Sequence, residues 1–133
     1  MERVHALFDA MSRLTAVVAY QEEDLIGPTL IHFVFSDAEF AITVDPDTDE
    51  VLFVDRPGPQ HLPMPSSAVD VFRPALLHKC ITDVWSMTNK QGYSDAIQLQ
   101  FAEPDARPIL LQFVAMASGF WVYSVQRLEA PPP

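Results

Sequence analysis

The sequence predicts a mainly β domain, α+β only through one short helix, arranged as an antiparallel meander of about eight strands. Three observations predict it. Apolar and polar residues alternate in short runs: Phe40, Ile42 and Val44 against Glu39, Ala41, Thr43 and Asp45 show the two-residue period of a half-buried strand. Clusters of Asp, Asn, Gly and Pro separate the runs. Helical spacing of apolar residues extends over one N-terminal stretch.

Within residues 2–12, Val4, Leu7, Phe8 and Met11 fall on one helical face and predict a short helix packed on the core. From Leu14 to Tyr20 the chain reads as a strand with Leu14, Ala16, Val18 and Tyr20 on one side. Glu22-Glu23-Asp24 and Gly27-Pro28 make a polar loop. Thr29 to Phe35 is apolar on both faces, as a central strand requires, and its His32 reads as a hydrogen-bonded structural residue. A short connection, Ser36-Asp37-Ala38, leads to the alternating strand, a turn spans Asp45 to Glu50, and Val51 to Val54 returns. Pro57, Pro59, Pro63 and Pro65 mark 56–67 as a connector outside the sheets, because proline removes backbone donors. Pro74 interrupts the next segment, where Ala75 to Lys79 fits one helical turn. Strands follow from Ile81 to Met87 and around Ile97, Leu99 and Phe101. A final hairpin runs from Ile109 to Met116 and from Phe120 to Leu128 across Ser118-Gly119, before a triple-proline tail.

The length fits a single domain, 1–133, able to bury a core without staples. The order of events repeats: segment 14–55 and segment 81–128 flank the connector 56–67. Leu14-Thr15-x-Val17 aligns with Ile81-Thr82-x-Val84, and Ile31, Phe33 and Phe35 align with Ile97, Leu99 and Phe101. Val44, Val51 and Phe53 align with Val114, Trp121 and Tyr123.

The formal net charge is −10, and all of it arises in one segment. Between Leu14 and Asp55 there are ten acidic residues and no Lys or Arg, whereas the remainder carries eight of each sign. That distribution argues against a phosphate-backbone binder, which needs a basic surface; it leaves open a basic protein partner or a cation, while the simpler reading is acidic turns that keep a β protein soluble. The longest apolar stretch, Ile109 to Val125, is broken by Gln112, Ser118, Gly119 and Ser124 and fits a hairpin better than a membrane helix. Met1-Glu2-Arg3-Val4-His5 lacks the pattern of a signal peptide. With Cys80 as sole cysteine, a reducing cytoplasm is the expected location.

Two stretches carry candidate binding residues. Asp45, Asp47 and Asp49 alternate like the first ligands of a calcium loop, but Glu50 stands where that loop needs glycine and Arg56 where it needs a bidentate glutamate. A solvated hairpin turn fits better, and no metal or cofactor is assigned. The second stretch, Trp85 to Asp95, holds Trp85, Asn89, Gln91, Gly92, Tyr93 and Asp95. Trp and Tyr anchor interfaces; Asn, Gln and Asp also serve turns locally, and the simpler reading has them satisfy the loop while Trp85 fills the core. No catalytic residues are assigned: His5, His32, His61 and His78 lie apart, and no nucleophile elbow, paired-histidine metal motif or phosphate-binding loop occurs.

Asp47-Thr48-Asp49-Glu50 at a hairpin, together with Trp85-x3-Asn89-x-Gln91-Gly92-Tyr93-x-Asp95, resembles a family of small acidic bacterial proteins catalogued as a domain of unknown function. The resemblance spans most of the chain, implies a bacterial source, and brings no catalytic residues with it.

The function expected from these features is non-enzymatic: an interaction module whose acidic face meets a basic partner, in the manner of an immunity or antitoxin protein. The alternative is a small-ligand or metal-binding domain, an enzyme included, with its site between loops 45–50 and 89–95: Asp47, Asp49, Glu50, Asn89, Gln91, Tyr93 and Asp95, with Trp85 beside it. Homodimerisation through a strand edge or an aromatic face is a third expectation.

Overall fold

The computed structural model describes residues 11–22, 27–45, 47–55, 64–103, 107–116 and 119–125. Among them are nine strands and one short helix. The strands are β1 (Leu14–Gln21), β2 (Leu30–Phe35), β3 (Glu39–Val44), β4 (Val51–Val54), β5 (Met64–Ser66), β6 (Cys80–Thr88), β7 (Ser94–Ala102), β8 (Ile109–Met116) and β9 (Gly119–Val125). Helix α1 spans Arg73–Leu76. The strands form two antiparallel sheets, in the orders β4-β3-β2-β1-β5 and β6-β7-β8-β9. The mainly β meander is therefore present, with β2 central as expected.

A single hydrophobic cluster lies between the sheets. Ile31, Phe33, Phe40 and Ile42 from the first meet Ile97, Leu99, Phe101, Leu111 and Phe113 from the second. Phe33 is its hub. Its ring lies 5.0 Å from that of Phe40 in its own sheet, and 6.2 Å and 5.8 Å from those of Phe101 and Phe113 across the interface. Burying each such side chain contributes about 1.5–3 kcal/mol before packing terms.

The sheets are also joined through backbone at two places. Leu14 N–H donates to Lys79 O and His78 N–H to Leu14 O, both at 2.8 Å, where Arg13 bridges Cys80. Phe120 N–H donates to Pro28 O at 2.7 Å. Helix α1 is pinned to β1 through Arg73 Nε, which donates to Val17 O at 3.1 Å, and buries Leu76 in the core.

The halves share their registers. In β1–β2, Leu14, Ala16 and Val17 face Phe35, Val34 and Phe33; in β6–β7, Ile81, Asp83 and Val84 face Phe101, Gln100 and Leu99. Each pair carries a register shift at the intervening threonine. Thr15 Oγ1 donates to Val34 O at 3.1 Å, and Thr82 Oγ1 to Gln100 O at 3.4 Å. The third aligned segment needs a correction. Phe33 faces Phe40 and Leu99 faces Leu111, so by register Val44 corresponds to Ala115 and Leu52 to Trp121.

Three further expectations change. The irregularity at Thr15 inverts the phase of β1, so Val17 and Ala19 are buried in place of Ala16, Val18 and Tyr20. Residues 64–66 of the connector pair with β1 as an edge strand, a position that tolerates Pro65. Pro74 lies in the first turn of α1 and initiates the helix. Of the predicted N-terminal helix, residues 1–10 lie outside the described residues, and Met11 is exposed with φ 50°.

Phe33→Ala should cost about 3–5 kcal/mol in chemical denaturation. Gly92→Ala should cost about 1 kcal/mol through its positive φ alone. Gly27→Ala should cost more, because its added methyl also meets Phe120 O at 3.0 Å.

Candidate functional site

In each meander, alternate connections fall at the same end. The β1–β2 and β3–β4 connections share an end of the first sheet, and the β6–β7 and β8–β9 connections share an end of the second. The contact of Phe120 with Pro28 and that of Ser94 with Glu50 bring these ends together. Among the described residues, Glu22, Asp45, Asp47, Asp49 and Glu50 belong to these connections, and Lys90 is the cation among them. Arg13 and Lys79 lie at the opposite end of the described fold, where Lys79 pairs with Glu103 at 3.2 Å. Asp37, Glu39 and Asp55 lie at that opposite end too, so the acidic segment supplies carboxylates to both ends, with Asp45, Asp47, Asp49 and Glu50 clustered in one connection.

Two turns at this end are built alike. Asp45 Oδ1 accepts Asp47 N–H at 2.9 Å, and Asp49 closes the loop in the left-handed region at φ 58°, which aspartate tolerates. Asn89 Oδ1 accepts the N–H groups of Gln91 at 2.9 Å and Tyr93 at 3.2 Å, and Gly92 takes φ 88°. Asn89 Nδ2 donates to Asp95 Oδ2 at 3.3 Å. Ser94 N–H donates to Glu50 Oε2 at 3.4 Å, so the loops 45–50 and 89–95 meet. Asp45, Glu50, Asn89 and Asp95 are occupied in holding the turns, whereas Asp47 and Gln91 present their side chains to solvent. Among the described residues, no group of three or more His, Cys, Asp or Glu side chains is placed to hold a metal ion.

Trp85 does not fill the core. It is 39% exposed on the outer face of the second sheet. Ile97, Leu99 and Phe101 point inward from β7, and directly opposed residues share a face, so two outward rows follow from the register. One row is Trp85, Gln98, Gln112 and Tyr123; the next is Met87, Ala96, Val114 and Trp121. Trp121 is 49% and Tyr123 44% exposed, and Gln112 Nε2 donates to Gln98 Oε1 at 2.9 Å between them. Tyr93 and Met116 are exposed at the acidic end. Both tryptophans of the chain therefore stand on one face whose two central rows are uncharged.

The corresponding row of the first sheet is Val18, His32, Ala41 and Val54. Ala41 is fully buried there, and His32 Nε2 lies 3.3 Å from Glu39 Oε2, in ion-pair range without hydrogen-bond geometry. Cys80 is buried, its Sγ 3.2 Å from Met11 O.

Sequence reading singled out Trp85 and Tyr93 but passed over Trp121, Tyr123, Gln98 and Gln112. The signal was the phase of β7 to β9: with Phe120 and Val122 assigned inward, Trp121 and Tyr123 must point out. Beside them lies a depression of about 210 Å³ lined by Gly27, Pro28, Ala68, Phe120, Trp121 and Val122. No described helix is long and apolar enough to cross a membrane.

Asn89→Ala should destabilise the fold by about 1–2 kcal/mol, since two backbone donors lose their acceptor. Gln91→Ala should stay within about 0.5 kcal/mol of wild type in the same denaturation experiment.

Comparison with known proteins places this molecule. Residues 1–129 match the family of unknown function DUF6334, and the chain belongs to that family. No curated protein and no solved structure matches it.

Proposed function

We propose that this member of a family of unknown function is a non-enzymatic interaction module of the bacterial cytoplasm that holds a basic protein partner, as immunity proteins and antitoxins do. The observation that carries the reading is the outer face of β6 to β9. Trp85, Trp121 and Tyr123 stand half-exposed there, beside an end of the molecule rich in carboxylates. Large aromatic side chains supply contact area at low entropic cost and dominate interface energetics. The adjoining negative charge speeds encounter with a cationic surface and discriminates against acidic ones. Arg and Lys of such a partner would also find ring faces to stack on.

The two halves support the same reading. Their shared registers and threonine irregularities favour descent of 14–55 and 81–128 from one duplicated unit. On that account the outer rows diverged. Val18, His32, Ala41 and Val54 line one sheet; Trp85, Gln98, Gln112 and Tyr123 line the other. A ligand or metal site between loops 45–50 and 89–95 gains no comparable support, because Glu50, Asn89 and Asp95 are spent on the loops themselves.

The test is affinity capture from the source cell's lysate at low and moderate salt. It compares wild type with Asp47→Asn/Asp49→Asn/Glu50→Gln and with Trp121→Ala/Tyr123→Ala. The expected outcome is a basic protein retained by wild type, weakened about tenfold in the charge variant and by about 2 kcal/mol or more in the aromatic variant. Retention indifferent to salt and to both variants would contradict the proposal.

A further inference from the structure

We infer that the outer edge of β9 receives an extended, basic segment of the partner as an added strand. This deepens the interaction reading above and rests on it. Among the described residues, the two sheets have four edge strands: β4, β5, β6 and β9. Natural sheets protect their edges by shortness, proline, irregularity or charge, and three of these four are protected. β4 has four residues; β5 has three, with Pro65 in the middle. β6 breaks register twice, is bridged at its start by Arg13, and has its Val84 N–H taken by Asp83 Oδ1 at 2.9 Å. β9 has none of these devices. It runs Gly-Phe-Trp-Val-Tyr-Ser-Val without charge, proline or register shift against β8.

The geometry shows which of its groups are open. Phe120 N–H points away from β8, to Pro28 O. Backbone groups alternate along a strand, so Val122 and Ser124 also face outward. No described residue accepts their N–H groups. Gly27-Pro28 closes the start of the edge, where Gly27 packs against Phe120 O, and leaves the stretch from Val122 onward. The 210 Å³ depression runs beside it, with Trp121 on its wall. Open donors and acceptors beside an apolar groove are the requirements of strand addition.

Charge selects the occupant. Glu22, exposed after β1, precedes Gly27-Pro28 in the β1–β2 connection, and β9 itself is neutral. A second copy would bring its own −10 charge to this edge. A strand alternating Lys or Arg with apolar residues meets no such repulsion.

The probe is a synthetic peptide of about nine residues alternating lysine and valine, titrated into the full-length ¹⁵N-labelled protein. Two control peptides carry proline at every second position, or glutamate in place of lysine. The inference predicts that the lysine–valine peptide alone shifts the Val122 and Ser124 amides and slows their hydrogen exchange by roughly tenfold or more. Ser124→Pro removes one outward donor while leaving the ladder to β8. It should keep cooperative unfolding and weaken the peptide by roughly tenfold. Four results would overturn the inference: shifts confined to loop 45–50 and Trp85; outward amides already protected in a peptide-free monomer; the same protection in a dimer seen by sedimentation; or no peptide response at all. The first of these leaves the interaction reading standing, and the lysate capture decides that reading independently.

Discussion

Side-chain alternation around the Phe33 cluster fixes what the rest of the molecule can present. Ile97, Leu99 and Phe101 of β7, Leu111 and Phe113 of β8, and Phe120 of β9 are all committed inward, where the two sheets meet. A strand offers only two faces. Once those residues are inside, Gln98, Gln112, Trp121 and Tyr123 are outside, and the pairing of β6 with β7 carries Trp85 out with them. The exposed aromatic face is a consequence of how the core is packed. A single-residue slip in any of these strands would exchange the two sets.

Much of the fold was legible in the sequence because period-two alternation is strong in β3 and β7. The central position of β2 was legible too, from apolar residues on both its faces. What escaped was local. The irregularity at Thr15 inverts the phase of β1, and nothing in Leu14 to Gln21 announces it except the matching threonine at 82. Pro65 argues against a strand in general, but not at an edge where a ladder donor is dispensable. The turn chemistry of Asn89 and Gly92 was readable; the outward placement of Trp85 was not. A tryptophan in an apolar run fits either face until the register to Gln98 is known. Trp121 and Tyr123 were hidden for the same reason, since both faces of β9 are apolar.

The net negative charge reconciles two opposed demands. An uncharged edge such as β9, with aromatic side chains beside it, invites self-association. A net charge of −10 opposes it. The acidic connections stand at the end of the molecule where β9 begins, and the net charge of each copy repels a second one as a whole. The same carboxylates that discourage a second copy favour a cationic partner. Turn residues such as Asn89 and Asp45 hold that end in shape without lending their own polar groups to the surface.

Trp85 and Trp121 are the protein's two tryptophans, so their fluorescence reports directly on the face proposed for binding. Acrylamide quenching, measured on the free protein and again with the captured basic partner, tests the central claim most directly. The account predicts that both tryptophans are freely quenched in the isolated protein and shielded in the complex. Tryptophans already shielded in the free protein, or equally quenched with the partner bound, would contradict it.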